Sequence, residues 1–384
     1  MTCHALRRQI LLLSSALLLF ACGGSGGQHV AADSPAATAE VRYAKGFTIV
    51  DHAGYKEVKI ASHAAGSRDT LEYLLLPAGA AVPGGHPGAR VIRVPVKSMV
   101  VTGSPQIAEA AFAGVAGRIV GVGSGQYVFD SLVREGLRTG RVRQVEAEDD
   151  LNNELLISLR PDVVITMTNP DAGGSRYRTL LQAGIPVLPD ADWLETTPLG
   201  KAEWVKLIGA LTGREDIVNP KFDSIAAAYQ RLASIGRSAP QRPSVILEMP
   251  FKGTWYLPAG GSFMAAFLRD AGADYHWAGT KGEGSLALEF EAVAPEALKA
   301  DYWLDIGAVD SKKEILARDP RFAAFHAFRT GALFNYNRRV NDAGSNDYWE
   351  SGVVNPQLVL GDLIRILHPG LLPPDTLVYY KQLK

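Results

Sequence analysis

The sequence has little cysteine and no excess of charge of either sign. Its two cysteines, Cys3 and Cys22, lie at the start of a 384-residue chain, so neither a disulfide framework nor a cysteine-based zinc site can form in the body of the protein. The 39 Lys and Arg residues balance 40 Asp and Glu residues. Because nucleic acids are bound by concentrated Lys and Arg, we expect no nucleic-acid partner. Hydrophobic residues make up 47% of the chain, which indicates a globular fold held together by its core.

The usual signatures of catalysis, nucleotide binding and metal binding are also missing. Outside the Gly/Ser-rich stretch Gly23-Gly24-Ser25-Gly26-Gly27, the chain has no G-x-S-x-G motif, and it has no G-x-x-x-x-G-K-[ST] and no H-E-x-x-H motif. A glycine cluster, Gly121-Val-Gly123-Ser-Gly125, lacks the third glycine of the dinucleotide fingerprint. The eight histidines are scattered, with no pair at helical spacing. We therefore expect no catalytic residue, no preformed metal site and no cofactor.

The first 22 residues have the pattern of a bacterial export signal. A basic pair precedes an apolar run, residues 10–20, and at about 1.5 Å per residue this run gives roughly 16 Å of helix, too short to span a bilayer core of roughly 30 Å. The run leads into Leu19-Phe20-Ala21-Cys22, which resembles a lipobox with an acylated cysteine; a plain secretory signal with a chance cysteine is the alternative. We expect a lipoprotein signal peptide over residues 1–22 and a flexible Gly/Ser/Ala-rich tether over residues 23–40.

Apolar runs alternate with helical patterns through most of the remaining chain. After strand-like residues 41–76, a series that starts with a strand over residues 91–101 favours an α/β lobe with a mainly parallel sheet. Successive helical stretches without a strand then indicate a rigid connector, and a second strand-helix series follows. The predicted parts are an N-terminal α/β lobe with preceding hairpin strands (41–197), a bridging helical segment (198–238) and a C-terminal α/β lobe (239–384).

Aromatic and polar residues are concentrated in the predicted loops between strands and helices. Ligands of open α/β sheets bind there, outside the carboxyl ends of the strands. A ring in a glycine-rich loop is not part of the apolar face of a helix, which favours a role in ligand binding. Each ring could also be a packed or merely exposed side chain. The candidate ligand-binding residues are Tyr127, Arg176, Tyr177, Trp193, Trp255, Tyr256, Arg338, Arg339, Asn341, Asn346, Tyr348 and Trp349.

Two short helical segments start with a glutamate at equivalent places in the two predicted lobes. Glu154 and Glu291 each precede a short helix, an Asp-containing turn and a strand. A glutamate in the first turn favours the helix dipole, so capping alone could explain either residue. Their equivalent places favour a paired role. The second segment is two residues longer, which leaves Glu289 as an alternative to Glu291.

Several motifs together resemble one family. They are Ser104-Pro105-x-x-x-Glu109, Arg160-Pro161-Asp162-Val-Val and Gly260-Gly261-Ser262-Phe263, in order over about residues 90 to 370. In this order they resemble the substrate-binding lipoproteins of ABC importers that handle ferric siderophores, haem or cobalamin, and the run from 335 to 356 resembles a Bacteroidetes-type branch. The resemblance implies a class III periplasmic binding protein-like fold: two Rossmann-like lobes with mainly parallel sheets joined by a long bridging helix.

The resemblance also implies a function. A membrane-anchored, monomeric solute-binding protein of the periplasm would capture an iron complex (siderophore or haem) or cobalamin between its lobes and deliver it to an ABC permease. Any metal would belong to the bound chelate. The rivals are an exported two-domain α/β hydrolase or reductase and an adhesion or structural lipoprotein.

Specific residues receive roles from this resemblance. Arg176, Arg338 or Arg339 would pair with acidic groups of a siderophore or of haem, while the aromatic rings supply apolar area. Glu154 and Glu291 would meet arginines of the permease. Acyl chains on Cys22 would hold the protein on a lipid bilayer.

Overall fold

A computed structural model describes residues 38–39, 41–61, 70–147, 150–167 and 176–384. The predicted signal peptide, the lipidation site Cys22 and nearly all of the predicted tether lie outside these residues. Among the residues that are described, no helix combines the length and the apolar character needed to cross a membrane.

The first sheet is built by the strands that precede the first lobe. Neighbouring strands follow the order β1-β2-β3-β4-β5 and pair antiparallel, except that β4 and β5 run parallel. Alternation along β2 and β3 turns Phe47, Ile49, Val58 and Ile60 into the main core. The strands are β1 (Thr38–Ala39), β2 (Phe47–His52), β3 (Tyr55–Ala61), β4 (Thr70–Pro77) and β5 (Arg90–Val94).

The continuous strand predicted over residues 91–101 is wrong. Its first part is β5 and its last part opens the next sheet, because the backbone between them bonds elsewhere. Pro95 has no N–H to donate to a ladder. The Val96 N–H donates to Leu211, and the N–H groups of Lys97 and Ser98 donate to the carboxylate of Asp162 at 2.7 and 2.9 Å.

The N-terminal lobe contains a parallel sheet with the strand order β12-β11-β6-β7-β8. The short strands β9 and β10 pair antiparallel beside it. The strands are β6 (Met99–Val101), β7 (Ile119–Val122), β8 (Arg143–Gln144), β9 (Glu146–Ala147), β10 (Asp150–Leu151), β11 (Val163–Thr166) and β12 (Val187–Pro189). The helices are α1 (Ser104–Phe112), α2 (Ser131–Thr139), α3 (Asn153–Leu159) and α4 (Arg178–Gln182).

Three helices follow before the next strand: α5 (Pro198–Ala202), α6 (Val205–Thr212) and α7 (Glu215–Arg237). Helix α7 has 23 residues and buries one face, with Val218, Phe222, Ile225 and Tyr229 at helical spacing. Its end is fixed to the next lobe, because Tyr229 donates to Asp270 and a Cβ on Gly236 would lie 2.3 Å from the Asp270 carbonyl oxygen.

The chain enters this body through residues 42–46, which two buried carboxylates hold. Glu203 accepts the backbone N–H groups of residues 42, 43 and 44 at 2.6 to 3.0 Å. Glu195 accepts those of residues 45 and 46, each at 2.9 Å, and also the indole N–H of Trp204. The Lys206 ammonium lies 2.8 Å from Glu203 and balances its charge.

The C-terminal lobe contains a second sheet with the order β13-β16-β17-β18, parallel except for β18, and a separate antiparallel β14–β15 pair. Its strands are β13 (Val245–Leu247), β14 (Thr254–Pro258), β15 (Ser285–Glu289), β16 (Tyr302–Leu304), β17 (Leu333–Asn335) and β18 (Lys381–Gln382). Its helices are α8 (Phe263–Asp270), α9 (Phe290–Ala297), α10 (Lys312–Arg318), α11 (His326–Thr330), α12 (Ser351–Val354) and α13 (Pro356–Leu367). Pro356 starts α13 and separates it from α12.

The predicted fold class is confirmed: two lobes with mainly parallel sheets are connected by a long helix. The residue boundaries given for the lobes and the bridge stay predictions. For the site, the important consequence is that two sets of parallel strands each present a carboxyl edge.

Candidate functional site

Two adjoining cavities lie where the carboxyl edges of the two sheets face each other. Their volumes are about 720 Å³ and about 480 Å³, and Ser104, Tyr127 and Trp349 line both. The larger cavity is bordered mainly by the N-terminal lobe and the smaller one mainly by the C-terminal lobe. Pockets of a few hundred cubic ångströms between α/β units are typical small-molecule sites.

The N-terminal wall is made by residues that directly follow strands. Thr102 follows β6, Gly123 follows β7 and Met167 follows β11, and all three line the larger cavity. A Cβ on Gly123 would lie 2.6 Å from the Thr102 carbonyl oxygen and 2.8 Å from Glu146 Oε2. The glycine cluster therefore serves the close approach of neighbouring loops.

Three large rings project into the larger cavity. The exposed fractions of Tyr127, Trp193 and Trp349 are 62%, 51% and 45%. Neighbouring contacts hold Trp193 and Trp349: the Trp193 indole N–H donates to the Met167 carbonyl oxygen at 2.9 Å, and Trp349 packs edge-on against Tyr348 with ring centres 4.9 Å apart. The cavity therefore offers positioned apolar faces on both sides.

Two acids with little exposure, the half-buried Glu248 and the buried Asp305, follow strands of the C-terminal sheet. Glu248 follows β13 and Asp305 follows β16, and their φ angles of 57° and 54° fall in the left-handed region that non-glycine residues rarely adopt. Burial raises the pKa of Glu248 to about 8, with a further contribution from Asp305. Burial also raises the pKa of Asp305 to about 7. This edge therefore carries less negative charge at neutral pH than its composition indicates.

A second group of acids lies under the N-terminal wall. Glu109, Asp190 and Asp192 are all buried, and Lys201, which lines the larger cavity, lies 3.0 Å from Asp192. Burial and the nearby Asp192 raise the pKa of Asp190 to about 7. Burial and the charge of Asp190 raise the pKa of Glu109 well above its ordinary value. Lys201 thus already forms an ion pair with a carboxylate of the protein itself.

Polar contacts join the lobes beside the cavities. The Glu350 carboxylate, 3% exposed, accepts the backbone N–H groups of Phe129 at 2.8 Å and Asp130 at 2.7 Å. The Asn341 amide donates to the Val128 carbonyl oxygen at 3.1 Å. Burial raises the pKa of Glu350 to about 8 despite the two backbone hydrogen bonds, which lower it.

The structure brings several of the candidate ligand-binding residues together. Tyr127, Trp193 and Trp349 line the larger cavity, and Asn346 lines the smaller one with Tyr127 and Trp349. Tyr348 is 4% exposed and lies beneath Trp349, so it supports the ring that faces the cavity. The ligand contacts themselves stay predictions.

Trp255 and Tyr256 need correction, because they belong to β14 and not to a loop. Alternation along this strand turns Trp255 into the core, where its exposed fraction is 0% and its ring stacks on Phe325. Tyr256 points the other way and is 48% exposed, but it lies outside the described lining of both cavities. A buried Trp255 cannot contact a ligand in this state.

The predicted arginine ligands have partners within the protein. Arg176 forms an ion pair with Glu146, a residue of the cavity lining. Arg339 lies 2.8 Å from Asp347 and places its guanidinium 5.7 Å from the Phe129 ring centre. These two side chains are therefore not uncommitted anion-binding groups.

Tyr177 and Arg338 are also placed away from the described lining of the two cavities. Tyr177 is 3% exposed, and its hydroxyl lies 2.5 Å from Thr166 Oγ1. Arg338 is exposed, and its backbone N–H donates to Tyr379. Tyr177 is thus a satisfied core residue, which corrects its prediction as a ligand contact.

The predicted docking glutamates are exposed at helix starts. Glu154 lies in the first turn of α3, where Asn152 caps the helix, and Glu291 lies in the first turn of α9. Glu289, the alternative, is the residue before α9 and is exposed as well. All three side chains are accessible to a partner, and their docking role stays a prediction.

Sequence reasoning missed Gln144, Glu146, Met167 and Lys201 in the cavity lining and Glu350 beside it. Met167 could have been found, since it lies at the carboxyl end of the parallel strand β11. Glu350 could not, because its partners are 220 and 221 residues away in the chain.

Comparison with known proteins agrees with this architecture. Residues 100–340 match the model of the family described as periplasmic binding protein. A lipoprotein of Methanocaldococcus jannaschii is 25% identical over 290 residues, which cover 73% of this chain and 67% of that protein.

Two solved structures share the fold. The periplasmic haem-binding protein of Vibrio cholerae is 16% identical, with a TM-score of 0.53, over 68% of this chain and 98% of that one. The periplasmic vitamin B12-binding protein of the same organism is 12% identical, with a TM-score of 0.50, over 71% of this chain and 97% of that one. The matched family is one of binding proteins, so the expectation that the chain is not an enzyme is confirmed. The family match covers more than half of the sequence, and the chain belongs to the periplasmic binding proteins.

Proposed function

We propose that the protein captures a metal-containing macrocycle, of the haem or cobalamin class, in the cleft between its lobes and delivers it to an ABC permease. The observation that carries this proposal is the set of half-exposed rings of Tyr127, Trp193 and Trp349 around one cavity. Flat apolar faces suit a planar macrocycle, and burying such a ligand against aromatic rings is favourable.

Charge favours a macrocycle over a strongly anionic ferric siderophore. The cations near the larger cavity already form ion pairs with carboxylates of the protein. Lys201 pairs with Asp192, and Arg176 pairs with Glu146. An anionic chelate would have to compete with these ion pairs and would also meet Glu146 in the lining. A ligand that depends mainly on apolar contact and hydrogen bonds avoids this competition.

A fluorescence titration of the purified protein tests the proposal. Haem, cyanocobalamin and a ferric siderophore are added separately, and quenching of tryptophan emission is followed. Trp349→Ala is expected to weaken binding of the preferred macrocycle by about tenfold or more, because removing one buried ring costs roughly 1.5–3 kcal/mol.

The matched control is Tyr256→Ala, which removes a ring of similar exposure, 48% against 45%, outside the described cavity lining. Its affinity is expected to equal that of the wild type. Tighter binding of the siderophore than of both macrocycles would contradict the proposed ligand class. Equal effects of the two substitutions would contradict the proposed site.

Delivery and anchoring complete the proposal. The exposed Glu154 and Glu291, each at the start of a helix and one in each lobe, are suited to meet basic groups on a permease. Exposed ion pairs of this kind contribute about 0.2–1 kcal/mol each, so they would orient the complex more than they would tighten it. Acylation of Cys22 would keep the loaded protein beside the membrane, on its periplasmic side.

A further inference from the structure

The first sheet, formed by β1 to β5, carries a polar cluster on the face opposite the side chains that β2 and β3 place in the core. Glu57 lies on β3, Glu72 lies on β4, and His86 comes from the loop between β4 and β5. In the β3–β4 register Lys59 is opposite Glu72, so Glu57 and Glu72 emerge on the same face. The three ligand atoms all lie within 4.8 Å of one another. This sheet precedes the residues that match the family model.

Hydrogen bonds orient the imidazole toward the carboxylates. His86 Nδ1 lies 2.5 Å from Glu72 Oε1, while its Nε2 lies 3.1 Å from the Tyr55 hydroxyl. A second histidine reaches the same cluster, since His52 Nε2 lies 3.3 Å from Glu57 Oε2. In metal sites the ring nitrogen that does not bind metal is usually fixed by such a partner. Tyr55 thus leaves Nδ1 of His86 as the nitrogen that points into the cluster.

The cluster concentrates negative charge where water is limited. Glu57 is only 7% exposed, and two carboxylates this close repel each other unless a positive charge lies nearby. The Lys59 ammonium pairs with Glu57 and supplies part of this charge. Its side chain is 47% exposed, so it can move into solvent when another cation arrives.

We propose that Glu57, Glu72 and His86 form a binding site for a zinc-class divalent metal ion, with water completing the coordination. One imidazole and two carboxylates are a ligand set that Zn²⁺ accepts, as in catalytic sites with three protein ligands. Ligands at about 2.0–2.2 Å from the ion lie roughly 3.4 Å apart in a tetrahedral arrangement. The ligand atoms lie up to 4.8 Å apart, so the side chains would have to converge by about 1.4 Å to reach that arrangement.

The ion would tie the loop that carries His86 to strands β3 and β4. The three ligands come from three separate chain segments, so motif spacing in the sequence gives no sign of them. The proposal is independent of the ligand cleft, since none of the three residues lines either cavity in the described structure.

Calorimetric titration of the chelator-treated, full-length protein with zinc chloride tests the site. One ion per protein is expected to bind, and His86→Asn and Glu72→Gln are each expected to weaken binding at least tenfold. His276→Asn is the matched control: His276 lies 3.7 Å from Glu296, a histidine–glutamate pair outside the cluster, and its loss is expected to leave zinc affinity unchanged.

One further substitution is expected to strengthen zinc binding instead of weakening it. Lys59→Met removes the competing ammonium and is expected to tighten zinc binding severalfold, which a merely structural cluster would not predict. Zinc is also expected to raise the unfolding temperature of the wild type and not that of His86→Asn, because a ligand stabilises only the state that binds it. X-ray absorption is expected to detect nitrogen and oxygen ligands at about 2.0–2.2 Å.

The proposal fails if wild-type protein takes up no zinc at micromolar concentrations. It also fails if His86→Asn and His276→Asn bind zinc equally well, or if Lys59→Met weakens binding. Should Glu72→Gln not fold, the Lys59→Met and His86→Asn titrations still decide between these outcomes.

Discussion

Removal of the Glu350 carboxylate is expected to weaken the connection between the lobes. In Glu350→Ala the backbone N–H groups of Phe129 and Asp130 lose their acceptor. A buried donor left without a partner costs about 1–3 kcal/mol. Because both donors belong to half-buried residues that water can partly reach, we take the lower end for each. The expected loss is about 2–3 kcal/mol in the free energy of unfolding.

Urea unfolding at pH 6, followed by tryptophan fluorescence and circular dichroism, measures this loss. Glu350→Gln is expected to lose less than half as much, because Gln is the neutral isostere of the carboxyl group that is protonated at this pH and its amide oxygen still accepts one N–H. The control, Glu283→Ala, removes an exposed glutamate and is expected to stay within about 0.5 kcal/mol of the wild type. If Glu350→Ala behaves like this control, the two hydrogen bonds do not stabilise the protein and the reasoning is refuted.

Protonation of Glu350 makes the difference in unfolding free energy between the wild type and Glu350→Ala depend on pH. Burial raises the pKa of Glu350 from an ordinary value of 4.5 to about 8, so the folded protein binds its proton more tightly than the unfolded chain does. The resulting stabilisation is fully present below about pH 4.5 and is lost as the pH rises through 8. The free-energy difference between wild type and Glu350→Ala should therefore shrink from pH 5 to pH 9. A difference that grows over this range would contradict the protonated, buried state of the group.

Three further outcomes follow from the fold and the proposed function. Glu154→Ala combined with Glu291→Ala should leave ligand affinity unchanged and reduce uptake by cells; a large loss of affinity would place these residues in the binding site instead. Cys22→Ser should move the protein from the membrane fraction to the soluble fraction, and unchanged membrane association would exclude the anchor. Gly236→Ala should lower the free energy of unfolding by about 1–3 kcal/mol, because its Cβ would lie 2.3 Å from the Asp270 carbonyl oxygen. Gly279→Ala, whose Cβ meets no described atom within 4 Å, should not.

The alternation of strands and helices was enough to predict the fold class, because hydrophobic periodicity is a local property of the chain. Tertiary hydrogen bonds are not local, and they account for the main errors. The strand predicted over residues 91–101 is divided because Asp162 takes the N–H groups of residues 97 and 98. The strand that contains Trp255 pairs with β15, with Trp255 opposite Leu288. Because this partner is distant in the chain, local sequence predicts a loop at Trp255 where the structure has a strand.

Several of the predicted rings lie at the cavities, whereas the partners of the charged residues could not be predicted from the sequence; the ligand contacts stay predictions. Rings in loops at the carboxyl ends of strands, such as Tyr127 and Trp349, line the cavities because the topology places all such loops at one edge. A sequence does not reveal which carboxylate forms an ion pair with a given arginine. For this reason Arg339 was expected to meet a ligand, whereas it meets Asp347.

The attachment of residues 42–46 to Glu195 and Glu203 determines where mechanical load enters the molecule. Tension on the preceding chain can peel β1 from β2, but it then meets five backbone amides bound to two buried carboxylates. Glu203 lies between α5 and α6, and Glu195 lies three residues before α5, so the load would be passed to these helices before it reaches β2. Tension applied to the chain before residue 42 would therefore leave the cleft between the lobes unchanged.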